Sequence, residues 1–223
     1  MLYPGGKGKC FQHVINLLPP HSTYIETHLG GGSVLRNKLP AKKTIGIDID
    51  PAVIQIWRRK FPDAATLVQD DAVRFLQSRS FHPDDVIYSD PPYLPSTRRA
   101  KRVYRFDYNQ DDHERLLACL CLLQCRIVIS GYPSNLYDHY LKHWNTKVFA
   151  AKTHQGLREE KLWYNFETPI ELHDPRFWGD SFRARQNLKR RQQRMQAKLA
   201  AMPLQEQQLV LDWLRLRLSE DLT

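Results

Sequence analysis

The sequence predicts an open, mostly parallel α/β sheet of the doubly wound kind, closed by an antiparallel hairpin and followed by a helical extension. Three observations carry this. Short apolar runs near residues 23, 44, 66 and 86 alternate with helical stretches near 33, 52 and 72, a βα rhythm that implies parallel pairing. The second, third and fourth runs lead into acidic residues, where open sheets hold ligands at the carboxyl ends of their strands. The first run leads into a glycine turn. The 223 residues suit one domain over 1–173 and a helical appendage over 174–223.

Lys9 to Leu18 reads as a first helix and Tyr24-Ile25-Glu26 as a short buried strand. The strand meets Leu29-Gly30-Gly31-Gly32-Ser33-Val34, where three glycines let backbone approach a ligand closely. Taken alone, a tight strand-to-helix turn is the commoner meaning of such a pattern. Thr44-Ile45-Gly46-Ile47 then ends in Asp48-Ile49-Asp50-Pro51. An acid about twenty residues beyond a glycine turn is where doubly wound folds hold a ribose hydroxyl pair. Thr66-Leu67-Val68 ends in Asp70-Asp71-Ala72, with Asp71 placed to accept from an adenine amino group. Each acid also suits the N-cap of the helix that follows. No Walker lysine accompanies the glycines, so the ligand reads as a nucleoside without a triphosphate.

The fourth run, Val86-Ile87-Tyr88, precedes Asp90-Pro91-Pro92-Tyr93. This tetrapeptide combines a carboxylate, two residues without N–H donors and an aromatic face, which together hold a flat amino-bearing ring. The exocyclic amine of adenine or cytosine is a poor nucleophile because its lone pair is conjugated into the ring. Two acceptors, the Asp90 carboxylate and a carbonyl of Pro91-Pro92, position the nitrogen and favour the more tetrahedral form in which it attacks. Tyr93 supplies the stacking surface. Such a base is reached only when flipped out of a duplex or presented single-stranded.

Arg98, Arg99, Lys101, Arg102 and Arg105 follow at once, interleaved with Tyr104, Phe106 and Tyr108. Basic residues among aromatics fit phosphate contact with stacking against bases, or a mobile solvated loop. Asp111 to Leu123 reads as a helix, Arg126 to Ser130 as a fifth strand and Asn135 to His143 as a helix. Strands near 146 and 161, joined by a loop over Thr153 to Arg158, form the hairpin.

The formal net charge of +9 fits a nucleic-acid partner. Part of the excess lies in Arg183, Arg185, Lys189, Arg190, Arg191, Arg194 and Lys198, in a stretch without acid, glycine or proline that predicts a helix tracking phosphates or simply a solvated face. After Pro203, the spacing of Leu204, Leu209, Val210, Trp213, Leu214 and Leu216 predicts an amphipathic helix packed on the first or on a second subunit. Cys10, Cys119, Cys121 and Cys125 lack paired spacing and read as buried free thiols, and nine scattered histidines give no metal site. No apolar run reaches membrane-spanning length, and the motifs begin at Tyr3, so a cytoplasmic protein without a leader is expected.

From Leu2 to about Phe166 the chain resembles the Dam-like, D12-class family of DNA adenine-N6 methyltransferases, S-adenosylmethionine-dependent enzymes of Rossmann-like fold. Tyr3-Pro4-Gly5-Gly6-Lys7 resembles the family's amino-terminal motif, which implies that Tyr3 lies near the cofactor and Lys7 near cofactor and target DNA. Glu26 to Val34 resembles the cofactor loop, implying cofactor roles for Glu26, Gly30, Gly32 and Ser33. The resemblance likewise assigns Asp48 to the cofactor ribose, Asp71 to its adenine, and Asp90, Pro91, Pro92 and Tyr93 to catalysis, with Asp90 also beside the cofactor. Arg158-Glu159-Glu160-Lys161-Leu162-Trp163-Tyr164-Asn165-Phe166 resembles the family's late strand.

Two departures stand out. The family's Glu-Pro-Phe is Glu26-Thr27-His28 here, leaving His28 either packed over the methionine moiety or a partly exposed loop histidine. Asp71 and Asp90 are also too close for an inserted recognition domain. Base contact then falls to Leu94–Tyr108 and Thr153–Arg158, with relaxed specificity expected. The implied reaction is methyl transfer to N6 of a flipped adenine in double-stranded DNA, with Arg98, Arg99, Lys101, Arg102, Tyr104, Arg105, Arg158, Arg190 and Arg194 as DNA contacts. RNA adenine, cytosine N4 in DNA, and a non-catalytic nucleic-acid-binding role remain as alternatives.

Overall fold

The structure, a computed structural model, describes residues 10–98, 105–153 and 156–220. Its elements run α1 (Phe11–Ile15), β1 (Thr23–Glu26), α2 (Ser33–Asn37), β2 (Lys43–Asp48), α3 (Pro51–Lys60), β3 (Thr66–Gln69), α4 (Ala72–Gln77), β4 (Val86–Ser89), α5 (Gln110–Leu122), β5 (Arg126–Gly131), α6 (Asn135–Tyr140), β6 (Asn145–Thr153) and β7 (Gly156–Tyr164). Two further helices, α7 (Phe182–Ala200) and α8 (Leu204–Glu220), follow. The strands form one seven-stranded sheet ordered β3-β2-β1-β4-β5-β7-β6. The first five are mutually parallel, and β7 runs antiparallel to both β5 and β6. The fold is therefore the Rossmann-like one expected, with the hairpin inserted so that its second strand lies next to β5.

The parallel strands are apolar on both faces because helices cover both sides of such a sheet. Ile25, Ile45, Ile47, Ile87, Ile127 and Ile129 belong to one core cluster with Phe75 and Leu76 of α4 and Leu116, Leu117 and Leu120 of α5. The expected capping roles hold where a helix follows at once. The Asp50 carboxylate accepts from the Ala52 N–H at the start of α3, and Asp71 accepts from the Arg74 N–H in α4. Asn109 and Asp112 form a reciprocal capping box on α5.

Several expectations shift. The first helix is shorter than Lys9–Leu18, since Leu17 and Leu18 turn before Pro19-Pro20; Lys9 lies outside the described residues. Helix α6 ends at Tyr140 rather than His143. The hairpin loop contracts, because β6 extends to Thr153 and β7 begins at Gly156, which puts Arg158 opposite Ala151 in the ladder. Cys119 and Cys125 are buried free thiols, as expected, whereas Cys121 is exposed.

The chain divides into two compact units, Met1–Arg176 and Phe177–Thr223. Asp174, expected to open the extension, is fully buried in the first unit. It accepts from the Leu39 N–H and pairs with Arg176, whose guanidinium also donates to the Asn37 carbonyl. In the second unit, Ser181 caps α7. Within the single chain, α7 leaves the apolar residues of α8 uncovered: Leu204, Leu209, Trp213 and Leu216 are all more than 60% exposed.

Candidate active site

Parallel strands diverge from β1 in both directions, to β2 on one side and β4 on the other. The chain order reverses there, and the crevice outside the strand ends at such a switch point is where open sheets bind ligands. A cleft occupies this place, lined by Thr27, His28 and Gly30 after β1, Asp48, Ile49 and Asp50 after β2, Asp70 and Ala72 after β3, and Asp90 and Pro92 after β4. Phe106 and Tyr108 line it from the segment before α5. The cleft is partly open to solvent.

The glycine turn is built around two buried groups. Gly30 and Gly32 have φ of +42° and +54°, left-handed values that favour glycine. The Trp57 indole N–H donates to the Gly30 carbonyl at 2.9 Å. A Cβ on Gly32 would stand 2.1 Å from the Trp57 ring. The glycine there is thus demanded by packing against Trp57, in addition to any need of a ligand.

Asp48 does not cap a helix. Its two carboxylate oxygens accept separately from the Gly30 N–H at 2.8 Å and the Asp50 N–H at 2.9 Å, so one side chain ties the turn to the end of β2. Burial pushes its carboxyl up to about 6, against the downward pull of those two N–H groups. A carboxylate has about four acceptor positions, so these two N–H bonds leave about two over. Asp50, beside it, also faces the Arg105 guanidinium at 3.6 Å.

Asp71 departs from the expected role. One of its oxygens caps α4 and the other takes the Arg115 guanidinium at 3.1 Å, while Asp70 and Ala72 line the cleft. Asp70, in turn, pairs with Arg74. A short turn between β3 and α4 forces this division of labour, since the capping carboxylate must point back along the helix.

Glu26 also departs from a direct cofactor role. It is buried, and its Oε2 accepts from the Tyr24 hydroxyl at 2.9 Å and the Leu35 N–H at 3.1 Å, which fastens α2 to β1. Burial raises its carboxyl to about 8, with the nearby Asp90 charge adding to the rise. Lys38 lies over the Tyr24 ring with its amine lowered to about 8, mainly by burial. Ser33 is the first residue of α2, partly exposed.

These shifts set a pH dependence. Glu26 holds its proton in the folded chain up to about pH 8, whereas the unfolded chain releases it near 4.5, so stability falls as pH rises across that window. His113, fully buried and lowered to about 4, refuses a proton that the unfolded chain accepts below about pH 6.5. Stability therefore falls on the acid side through that group. Glu26→Gln keeps an acceptor for both donors and removes the first effect. Urea unfolding is expected to show the variant gaining on the wild type as pH rises from 4.5 to 8, by on the order of 2 kcal/mol. Parallel curves for the two proteins would contradict the assignment.

His28 is partly exposed in the loop after β1, as the second alternative has it, and its ring is held on both nitrogens. Its Nε2 meets the Tyr108 hydroxyl at 3.0 Å, and its Nδ1 meets the Thr27 and Ser89 hydroxyls at 2.9 and 3.4 Å. Burial lowers it to about 3, so it lines the cleft as a neutral ring. Tyr108 in turn makes an edge contact with His113, whose Nδ1 meets the Tyr137 hydroxyl at 2.9 Å. This aromatic chain is not visible in the sequence because its members lie on four different segments.

The Asp90-Pro91-Pro92-Tyr93 tetrapeptide leaves β4 with Asp90 and Pro92 facing the cleft. The Ser130 hydroxyl, buried at the end of β5, donates to Asp90 Oδ1 at 2.8 Å and lies 3.1 Å from the Tyr88 hydroxyl. Tyr93 packs edge-on against Tyr132 with ring centroids 4.5 Å apart. Arg158 lies over the Tyr132 ring at 4.9 Å and donates to the Thr97 carbonyl, so it buttresses the motif instead of standing free for phosphate. Ser130 and Tyr132 were missed in sequence. Their signal, a serine and a tyrosine at the end of the strand paired with β4, carries meaning only once that pairing is known.

Of the basic loop, Arg98 is a correction. Its guanidinium is buried in a bidentate pair with Asp107, with both N–O distances 2.9 Å, and is consumed in closing the loop. Arg105 remains exposed. Tyr3, Lys7, Arg99, Lys101, Arg102 and Tyr104 lie outside the described residues. No metal-ligating cluster and no helix long and apolar enough to cross a membrane occur among the described residues.

Sheet order, switch-point cleft and antiparallel closing hairpin define a Rossmann-like, doubly wound α/β fold. Residues 3–80 match the family model of the D12 class N6 adenine-specific DNA methyltransferases. No curated protein matches the chain. Among solved structures, an rRNA methylase from Streptococcus thermophilus is similar at 13% identity over 71% of this chain and 96% of its own, with a TM-score of 0.47. A precorrin-6y C5,15-methyltransferase from Geobacter metallireducens is similar at 12% identity over 71% and 87%, with a TM-score of 0.48. A magnesium protoporphyrin IX methyltransferase from Synechocystis, with bound SAM, is similar at 11% identity over 74% and 79%, with a TM-score of 0.46.

Proposed function

We propose that this methyltransferase modifies N6 of an adenine flipped out of duplex DNA. The observation that carries the reading is that Asp90 and Pro92 share one cleft with the acids after β2 and β3. The residues fit the cofactor: Asp48, Asp50 and Asp70 offer acceptors, and Ile49 and Phe106, 41% and 39% exposed, offer apolar faces for a purine. When bound, S-adenosylmethionine supplies a methyl group already activated by its sulfonium charge. The protein needs no nucleophile of its own, and positioning carries the rate.

Asp90 accepts one N6 hydrogen and a Pro91-Pro92 carbonyl the other, holding the nitrogen lone pair toward the methyl carbon. Ser130 fixes the Asp90 rotamer through the hydroxyl bond described above. Tyr93, backed by Tyr132 and Arg158, stacks on the flipped base. Asp90 and the Pro91-Pro92 carbonyl would hold N6 in line with the activated methyl that a bound cofactor supplies, and the extra proton on N6 would pass to water. His28 stays neutral and shapes the cleft wall.

The D12 match over residues 3–80 favours adenine in DNA among the amine acceptors that an Asp-Pro-Pro-Tyr motif serves. The test is nucleoside analysis after incubation with tritiated cofactor and duplex DNA or RNA. Label is expected in N6-methyldeoxyadenosine. Label in N4-methyldeoxycytidine, or in RNA alone, would replace the proposed substrate. Loss of label together with absent cofactor binding would remove the enzymatic reading.

A further inference from the structure

We infer that α7 is a second nucleic-acid contact surface, a cationic stripe that grips the phosphodiester backbone of duplex DNA through charge alone. The inference deepens the proposed function and rests on it for the choice of DNA as partner. At 3.6 residues per turn, Arg183, Arg190, Arg191, Arg194 and Lys198 fall within about 100° of the helix circumference and span about 22 Å of its length. All five are exposed, and among the described residues none forms an ion pair or a hydrogen bond.

Two further cations lie off this stripe: Arg185, which donates to the Gly179 carbonyl, and Lys189 on the opposite side. Ala184, Leu188, Met195 and Leu199 recur at spacings of four, seven and four on a neighbouring face, and Leu188 and Leu199 are half-buried. Gln186, Gln192, Gln193 and Gln196 fill most of the remaining circumference with Phe182, Ala197 and Ala200, and the helix contains no acid. A solvated surface helix usually mixes signs, because like charges at i,i+4 repel. Here Arg190, Arg194 and Lys198 stand at successive i,i+4 positions without a carboxylate between them. That repulsion is relieved by an anion with regularly spaced charges. Duplex DNA offers roughly one per 1.7 Å of axis, and its condensed counterions are released on binding.

The stripe carries no base-reading group in a fixed frame, so its contribution is to affinity rather than sequence choice. This complements a catalytic unit in which Arg98 and Arg158 are already committed to internal partners.

The experiment compares the full-length chain with a variant in which Arg183, Arg190, Arg191, Arg194 and Lys198 are all glutamine, a substitution that keeps helix propensity. Binding to a fluorescent duplex is measured against salt concentration. The slope of log K against log salt is expected to become shallower by about 0.9 for each phosphate no longer neutralised, about three units or more in all. Cofactor affinity and helical circular dichroism should be unchanged. A second variant with lysine at the four arginine positions should retain the wild-type slope. An unchanged slope in the glutamine variant, or an equally shallow slope in the lysine variant, would overturn the inference, as would binding to phosphatidylserine vesicles in preference to duplex DNA or RNA. A shallower slope on RNA but not DNA would move the partner to RNA and overturn the duplex assignment. Failure of the methylation reading is distinguishable, because it abolishes label transfer while leaving the salt slope intact.

Discussion

Asp90→Ala is expected to lower methyl transfer by at least about a hundredfold, and up to about a thousandfold, with S-adenosylmethionine affinity changed by less than about threefold. The carboxylate stands where two requirements meet. It must accept from the reacting amine, and it must hold its direction while doing so. The Ser130 hydroxyl supplies the second at 2.8 Å. Asp90→Asn keeps one acceptor oxygen but presents an amide N–H₂ where an acceptor is needed, so its effect should approach that of alanine. Ser130→Ala removes the orienting bond together with the Tyr88 contact and should cost about tenfold in kcat with KM for DNA little changed. Incorporation of tritiated methyl groups measures the rates, and calorimetric titration measures cofactor affinity. Equal activity of the Asp90 variants and wild type would detach the tetrapeptide from the chemistry. Equal rate reductions for Ser130→Ala and Asp90→Ala would show that the hydroxyl does more than orient.

The sheet was legible because its signals are local. Each of the four early strands is a short apolar run beside a turn, and Asp50, Asp71 and Ser134 cap helices within three residues of themselves. The tetrapeptide was legible because its four residues are contiguous. The directions of the acids were not legible. Asp48, Asp70 and Asp71 all end strands, yet whether each turns to a backbone N–H, a guanidinium or the cleft depends on Gly30, Arg74 and Arg115, which lie at very different sequence separations. The same limit explains Arg98. A run of cations reads as a phosphate surface until Asp107, nine residues on, closes on one of them.

Gly32→Ala separates two reasons for a glycine that sequence cannot tell apart. If Gly32 served only to admit a ligand, the substitution would weaken cofactor binding and leave the apo protein as stable as before. The structure places the missing Cβ 2.1 Å from the Trp57 ring, and that ring is fully buried with its N–H committed to the Gly30 carbonyl. It has nowhere to go. Overpacking and a left-handed φ together should destabilise the apo protein by about 2–4 kcal/mol, a fall of roughly 10 °C in Tm. Trp57→Phe opens space at the cost of the indole N–H bond. The double variant should therefore be more stable than the sum of the two single effects predicts, by at least about 1 kcal/mol. Additive effects in that cycle, or an apo Gly32→Ala protein that melts with the wild type, would return the turn to the ligand and away from the tryptophan.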